Sequence, residues 1–156
     1  MLLVLLTCEE EWYGIDAEKI VEIVPFAALK FAEKADLQCA VLIRHGRPIS
    51  VIDFTYLTLG RPSNLLFSTR IIIVRVSSDG ALRKIGILAE GVTETLKITQ
   101  PENTPRTSLQ PFSEQTVVVE GRSIHLVDIP LLSTLCTVEA FLENIDPTPP
   151  MVFRHD

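Results

Sequence analysis

Short apolar runs rich in Val and Ile alternate along the chain with Gly, Asp and Pro. Such runs are typical of β-strands, because β-branched side chains fit a pleated and partly buried surface. The pattern therefore predicts an all-β protein with short helices. The predicted strands cover residues 2–8, 12–16, 20–24, 39–45, 48–53, 70–77, 84–90, 92–98, 116–120 and 123–128.

Aspartates that follow apolar runs predict short helical turns. Asp16 precedes residues 17–19, and Asp53 precedes a segment that ends at Gly60 and Pro62. A carboxylate placed there accepts hydrogen bonds from the unpaired N–H groups of a first helical turn. Near the end of the chain, helical spacing of apolar residues predicts an amphipathic helix. These residues are Leu131, Leu135, Val138, Leu142 and Ile145.

Three segments lack a strand pattern. Residues 26–37 contain Ala, Lys and Glu and are compatible with either a helix or a long loop. Residues 100–115 carry three prolines and are predicted to form a loop. Residues 146–156 are predicted to be a loose, proline-rich tail that follows a single domain, residues 1–145.

Two segments of the chain occur twice, in the same order. Residues 45–57 align without a gap with residues 120–132, at an offset of 75 positions. Residues 14–22 align with residues 86–94, at an offset of 72 positions. The repeat predicts two related halves. Each half offers about five short strands, which suits a small closed barrel, and two adjacent barrels would bury a shared seam.

The charge of the chain argues against two classes of partner. The net charge is -6 and the isoelectric point is about 5.1, with Lys and Arg scattered along the sequence. Nucleic acids and anionic membranes require a basic patch, so neither is expected to bind. The apolar start, residues 1–6, is too short for a membrane span or a signal peptide, so no membrane insertion is expected.

The three cysteines, Cys8, Cys39 and Cys136, are far apart in the sequence. This spacing fits neither a zinc site nor a disulfide framework. It predicts buried, reduced thiols in a cytoplasmic protein.

Asp53 and Asp128 occupy equivalent places in the repeat and are the first candidates for chemistry. They would serve either as a catalytic acid pair or as helix N-caps. The N-cap interpretation is favoured, because each aspartate ends an apolar strand and begins a helical turn.

The histidines do not suggest a site either. His45, His125 and His155 have no second ligand at metal-binding spacing. His125 alternates with apolar neighbours along a strand and is expected to be exposed. Since phosphate-binding loops and nucleophile arrangements are also missing from the sequence, it predicts a non-catalytic binding module.

Several motifs, in this order and spacing, resemble the CheW family of chemotaxis coupling proteins. They are residues 3–6, residues 13–16 (Tyr-Gly-Ile-Asp), residues 21–23 (Val-Glu-Ile), residues 40–46 (Ala-Val-Leu-Ile-Arg-His-Gly), residues 48–54 (Pro-Ile-Ser-Val-Ile-Asp-Phe) and residues 86–92 (Gly-Ile-Leu-Ala-Glu-Gly-Val). The resemblance covers about residues 2–136.

The resemblance implies two intertwined five-stranded SH3-like β-barrels, no catalysis and no cofactor. It also implies two partners: the regulatory domain of a CheA-type histidine kinase, and the helical cytoplasmic tip of a methyl-accepting chemoreceptor. Apolar residues at the barrel ends would contact the kinase, and an apolar groove between the barrels would accept the receptor helix.

The chain departs from the family pattern at Ala40, Ile43, His45 and Ser50. The family arginine that precedes the turn glycine aligns with His45, and Arg44 lies one residue earlier. A shift of one residue along a strand reverses the side chain, so Arg44 is not expected to replace that arginine directly. A neutral His45 would be a weaker partner for Glu22 than an arginine. The partner-binding surface implied by the resemblance comprises Glu22, Ile23, Arg44, His45, Gly46, Arg47 and Ile49. The departures hint at a specialised member, such as one that serves a surface-sensing pathway.

Three alternatives stay open at this point. One is a regulatory domain that binds a small molecule between the barrels. Another is a self-associating scaffold. The last is an enzyme that uses Asp53 and Asp128, which requires both carboxylates to be exposed and close together.

Overall fold

The computed structural model describes residues 1–25, 30–31, 39–78, 80–99, 106–107, 110–135 and 153–155. Strands dominate these residues. They are β1 (Leu2–Cys8), β2 (Glu11–Asp16), β3 (Ile20–Pro25), β4 (Lys30–Phe31), β5 (Cys39–Arg44), β6 (Arg47–Asp53), β7 (Arg70–Ser78), β8 (Ala81–Ala89), β9 (Glu94–Lys97), β10 (Arg106–Thr107), β11 (Ser113–Val119), β12 (Arg122–Val127) and β13 (Phe153–His155). The helices are α1 (Phe54–Leu59), α2 (Ile129–Ser133) and a single 3-10 turn, Ala17–Lys19.

The strands form two curled sheets, which we call the first and second barrels. The first barrel has the strand order β10-β11-β12-β2-β1-β9. The second has the order β13-β5-β6-β8-β7-β3, and β4 also pairs with β5. The all-β class and the two barrels are therefore confirmed. The sheets contain six and seven strands rather than five, because β10 extends the edge of the first sheet, and β13 and β4 are added beside β5 in the second.

The two repeats exchange strands instead of folding separately. The hairpin of β1 and β2 belongs to the first repeat, yet it pairs with β9 and β12 of the second repeat. In the same way, the hairpin of β7 and β8 pairs with β3 and β6 of the first repeat. Each barrel is thus built from both halves of the chain, which is the intertwined arrangement that the resemblance implied.

The exchange explains why some strands are apolar at every position. Along β1, Leu3 and Leu5 face the interior of the first barrel, whereas Val4 and Leu6 face a core that both barrels share. In β7, Ile71 and Ile73 likewise face the interior of the second barrel, whereas Ile72 and Val74 face the shared core. A strand buried on both faces needs apolar side chains throughout. The predicted shared seam is confirmed.

Equivalent β-hairpins carry the turns of the repeat. His45 and Gly46 connect β5 to β6 with φ angles of 51° and 73°. Glu120 and Gly121 connect β11 to β12 with φ angles of 52° and 76°. Two consecutive positive φ angles define the type I′ turn, whose twist matches that of the flanking strands. The prediction that β5 extends to His45 is therefore wrong by one residue, because His45 already adopts the turn conformation.

The remaining predictions have mixed outcomes. The start of β11 and all of β10 lie within residues 100–115, which were predicted to be a loop. Phe153–His155 pair in parallel with β5, so this part of the predicted loose tail is a strand. Helix α2 covers the start of the predicted amphipathic helix, and its continuation beyond residue 135 lies outside the described residues, as do most of residues 26–37.

Candidate partner-binding site

An ion pair between Glu22 and Arg44 forms the centre of the surface predicted from the sequence. Arg44 Nε donates to Glu22 Oε1 at 2.7 Å, and Arg44 Nη2 donates to Glu22 Oε2 at 2.7 Å. The Glu22 side chain retains only 29% of its accessible surface, and the Arg44 side chain only 18%. Because β3 ends the sheet and β5 lies near its other edge, this bidentate contact helps to close the second barrel.

The ion pair keeps the Glu22 carboxylate charged. The hydrogen bond from Arg44 is the largest influence, and it lowers the pKa of Glu22 below its ordinary value of 4.5. Arg44, not His45, is thus the partner of Glu22. The shift of one residue does not turn Arg44 away from Glu22, because Arg44 ends β5 with its guanidinium against β3, whereas His45 lies in the turn.

The neighbouring candidate residues divide into exposed and buried positions. Ile23 on β3 retains 40% of its accessible surface. Arg47 is exposed and pairs across the hairpin with Arg44. Ile49 is only 6% exposed and belongs to the interior of the second barrel. Since its side chain does not reach the surface, we leave Ile49 out of the candidate partner-binding site.

The α1–β7 loop, residues 60–69, is a second candidate feature, and two carboxylates fix it. Asp53 is 1% exposed and accepts hydrogen bonds from Tyr56 N, Ser63 N and Ser63 Oγ at 3.3, 2.9 and 2.6 Å. Glu90 accepts from Arg61 Nη1 at 2.7 Å and from Asn64 N at 2.8 Å. Arg61 lowers the pKa of Glu90 in the same way that Arg44 acts on Glu22.

The tip of the α1–β7 loop is apolar and exposed. Leu65, Leu66 and Phe67 retain 52%, 60% and 96% of their accessible surface. Together with Pro25 and Arg70 they line an open groove of about 470 Å³ on the second barrel. No pattern in the sequence predicted this feature. Its only signal was a run of three large apolar residues inside a loop, where neither helical nor strand periodicity applies.

The two repeat aspartates act as N-caps, as predicted. Asp128 accepts a hydrogen bond from Leu131 N at 3.1 Å, at the start of α2. Asp53 caps α1 and is enclosed by its three hydrogen-bond donors. Asp53 and Asp128 therefore do not form the exposed acid pair that the enzyme alternative requires.

His125 differs from its prediction, because it is 7% exposed rather than on the surface. Its Nδ1 lies 2.9 Å from Thr116 Oγ1, and its Nε2 lies 2.9 Å from Glu11 Oε2. Its ring also contacts that of Tyr13, with 5.5 Å between the centroids. Polar neighbours on the adjacent strands β11 and β2 satisfy the imidazole and permit its burial.

The structure also bears on cysteines, metals and membranes. Cys8 is a free cysteine in the core, and burial raises the pKa of its thiol to about 11. Within the part of the chain that the structure describes, no three His, Cys, Asp or Glu side chains are grouped as metal ligands. A search of the same residues finds no helix with the length and apolar character needed to span a membrane.

The fold and these surfaces define a β-barrel interaction module. Comparison with known proteins gives the family: the model of the CheW-like domain matches residues 2–135. The chain therefore belongs to the CheW-like domain family. This family comprises adaptor and scaffold proteins of chemotaxis signalling.

A solved structure supports the fold. The chain is similar to the scaffolding protein TtCheW from Thermoanaerobacter tengcongensis, with a TM-score of 0.66 and 22% sequence identity. The similarity covers 82% of this chain and 84% of that protein. The search of curated proteins found no match.

Proposed function

We propose that this protein is a non-catalytic adaptor that couples the cytoplasmic tip of a chemoreceptor to the regulatory domain of a CheA-type histidine kinase. The family match across residues 2–135 is the observation that carries the proposal. An adaptor with these partners works in the cytoplasm, and it holds receptor and kinase in a fixed geometry so that the receptor state biases kinase activity.

The Glu22–Arg44 pair supplies a suitable contact surface for this role. The two side chains hold each other in one conformation, so little additional side-chain entropy is lost when a partner binds them. Ile23 provides exposed apolar area beside the pair, and Arg47 and His45 add polar groups at the adjacent turn. A surface with an apolar centre and polar surroundings is typical of specific interfaces.

Calorimetric titration with the regulatory domain of the kinase encoded in the same genome tests the proposal. We expect saturable binding in the micromolar range, which corresponds to about -8 kcal/mol. A parallel titration with a helical-hairpin fragment of the receptor tip tests the second partner. If the chain binds neither protein, the adaptor function is wrong.

Substitutions then test the proposed surface. Arg44→Ala leaves Glu22 without its main cation and is expected to weaken binding to one of the two partners by about tenfold, or about 1.4 kcal/mol. Glu94→Ala is the matched control, because Glu94 occupies the place of Glu22 in the other repeat and contacts Arg122 at 3.6 Å. Equal effects of Arg44→Ala and Glu94→Ala would exclude a specific role of the second-barrel ion pair.

A further inference from the structure

Phe67 is the most exposed large apolar side chain among the described residues, with 96% of its surface accessible. Leu65 and Leu66 beside it are also more than half exposed. Single exposed apolar residues are common on protein surfaces, but a contiguous group at the edge of a groove marks an interaction site.

The loop that carries these side chains has a fixed conformation. Ser68 O accepts a hydrogen bond from Val92 N at 3.0 Å, and Leu66 O accepts one from Thr69 N at 3.0 Å. Thr69 is fully buried. Its hydroxyl donates a hydrogen bond to Asn64 O and accepts one from Leu66 N. With the carboxylates of Asp53 and Glu90 at its start, the whole loop is preorganised. A partner would therefore lose little free energy in ordering it.

The charge of the groove indicates the chemistry of its occupant. Arg70 forms one wall, and the hydrogen bond described for its guanidinium goes to its neighbour Thr69 O at 3.2 Å. Three other arginines, Arg44, Arg61 and Arg122, each meet a carboxylate of this chain. Among the described residues Arg70 has no such carboxylate. An apolar groove with an uncompensated cation is complementary to an apolar segment that carries an acidic residue.

The shape of the groove favours side-chain contacts over strand addition. The neighbouring strand β3 ends its sheet, but the Glu22–Arg44 pair crosses this edge towards β5. Pro25 at the end of β3 also lacks the N–H group that an added strand would need. A groove of about 470 Å³ can receive a few apolar side chains presented at helical spacing.

We propose that the groove formed by Pro25, Leu65, Leu66, Phe67 and Arg70 is a docking site for an amphipathic, acidic helix of a partner protein. Phe67 is the central apolar anchor, and Arg70 pairs with a carboxylate of the helix. This inference rests on the proposed function, because the receptor tip is the helical partner named there. It adds a binding surface on the second barrel alone, apart from any groove between the barrels.

The test titrates the full chain with the helical-hairpin receptor fragment, and with the kinase regulatory domain as a second probe. The variants are Phe67→Ser and Arg70→Gln. The matched control is Leu82→Ser, since Leu82 is 77% exposed and lies at the opposite end of the β7–β8 hairpin from Arg70. Because Phe67 has almost no contacts within the protein, Phe67→Ser is expected to leave the thermal unfolding midpoint unchanged.

We expect Phe67→Ser to weaken binding of the receptor fragment at least tenfold, while Leu82→Ser has no effect. Arg70→Gln should weaken it about threefold and reduce its dependence on salt concentration. Perturbation of the backbone amide signals of Leu65, Leu66 and Phe67 by the fragment would locate the contact.

Each contrary result overturns the docking site in a recognisable way. If both probes bind Phe67→Ser as they bind the wild type, the adaptor function stands and the groove is not the docking site. If only binding of the kinase domain is lost, the occupant is not the helix. If Phe67→Ser instead abolishes self-association seen by light scattering, a second copy covers the groove. Failure of the wild type to bind either probe rejects the adaptor function itself.

Discussion

Glu22 and Glu94 occupy equivalent places in the two repeats, 72 positions apart, and each carboxylate meets an arginine of a β-hairpin. In the second barrel, Arg44 precedes the turn and holds Glu22 through two contacts of 2.7 Å. In the first barrel, Arg122 follows the turn and approaches Glu94 only to 3.6 Å. The guanidinium of Arg122 instead lies over the Trp12 ring, 4.7 Å from its centroid.

Equivalent positions of the two repeats therefore hold their barrel edges to different degrees, firmly at Glu22 and weakly at Glu94. The second-barrel pair is partly buried and bidentate, so it forms one rigid unit. The first-barrel pair is more exposed, with 46% of the Glu94 surface accessible, and water screens the interaction. Equivalent substitutions in the two barrels should therefore have unequal effects.

The largest difference is expected at the capping aspartates. Asp53→Ala removes three hydrogen bonds and leaves the buried Ser63 N–H and hydroxyl without a partner, at a cost of about 3 kcal/mol in the free energy of unfolding. Asp128→Ala removes one partly exposed cap and should cost about 1 kcal/mol. Urea unfolding of both variants measures the difference. Equal losses would show that the buried hydrogen bonds of Asp53 contribute no more than an ordinary cap.

The next difference concerns the glycines that lie on the parallel strand pairs. A Cβ atom at Gly86 would lie 2.9 Å from Val51 Cγ2 and 3.0 Å from Ile71 Cγ2, and both neighbours are stiff β-branched side chains. Gly86→Ala should therefore destabilise the protein by about 2 kcal/mol. At the equivalent Gly14 the distances are 3.1 Å, and one neighbour is the flexible end of Leu3. Gly14→Ala should therefore lower the stability measured by thermal unfolding by less than half as much as Gly86→Ala. If Gly14→Ala were the more destabilising substitution, the expected difference between the two barrels would be wrong.

The ion pairs themselves give the smallest difference. A double-mutant cycle on Glu22 and Arg44 should yield a coupling free energy of roughly 1 kcal/mol, because the contact is bidentate and partly buried. The same cycle on Glu94 and Arg122 should yield about 0.3 kcal/mol or less. High salt should reduce the second value more than the first. Equal coupling energies would mean that the two edges are equally fixed.

The pH dependence of stability gives a further test of the Glu22–Arg44 pair in the second barrel. Arg44 lowers the pKa of Glu22 in the folded state below the unfolded value near 4.5. The stabilisation is therefore fully present above about pH 5.5 and is lost as the pH falls through the folded pKa. Glu22→Gln should show no such loss, so the stability difference from the wild type should shrink between pH 5.5 and pH 3. A difference independent of pH would contradict the structural role of the pair.

Local patterns predicted the strands and caps well, because each depends on neighbouring residues. Strand β1 and the 3-10 turn Ala17–Lys19 have the predicted bounds, and Asp53 caps α1 before Gly60 ends it. The repeat correctly indicated equivalent hairpins and turns. It could not reveal which hairpin pairs with which, because pairing is decided by contacts between residues far apart in the chain.

The candidate site shows a sharper limit of the sequence. Glu22 and Arg44 were both named, yet their contact depends on where β5 ends, and a strand boundary is uncertain by a residue or more. His125 looked exposed because its neighbours are apolar, and only the positions of Glu11 and Thr116 on adjacent strands explain its burial. Phe67 belongs to no periodic element, so no pattern could identify its exposure.

The exchange of strands between the repeats also has consequences for how the chain reaches its fold. During synthesis, β1 and β2 leave the ribosome long before their partners in the first barrel, β9 and β12. Contacts of such long range make folding slow, because a large loop must close before they form. The apolar β1 is thus exposed until most of the chain has been made, which favours aggregation or capture by chaperones. For the same reason, neither half should fold alone, whereas two fragments cut in the α1–β7 loop should assemble only with each other.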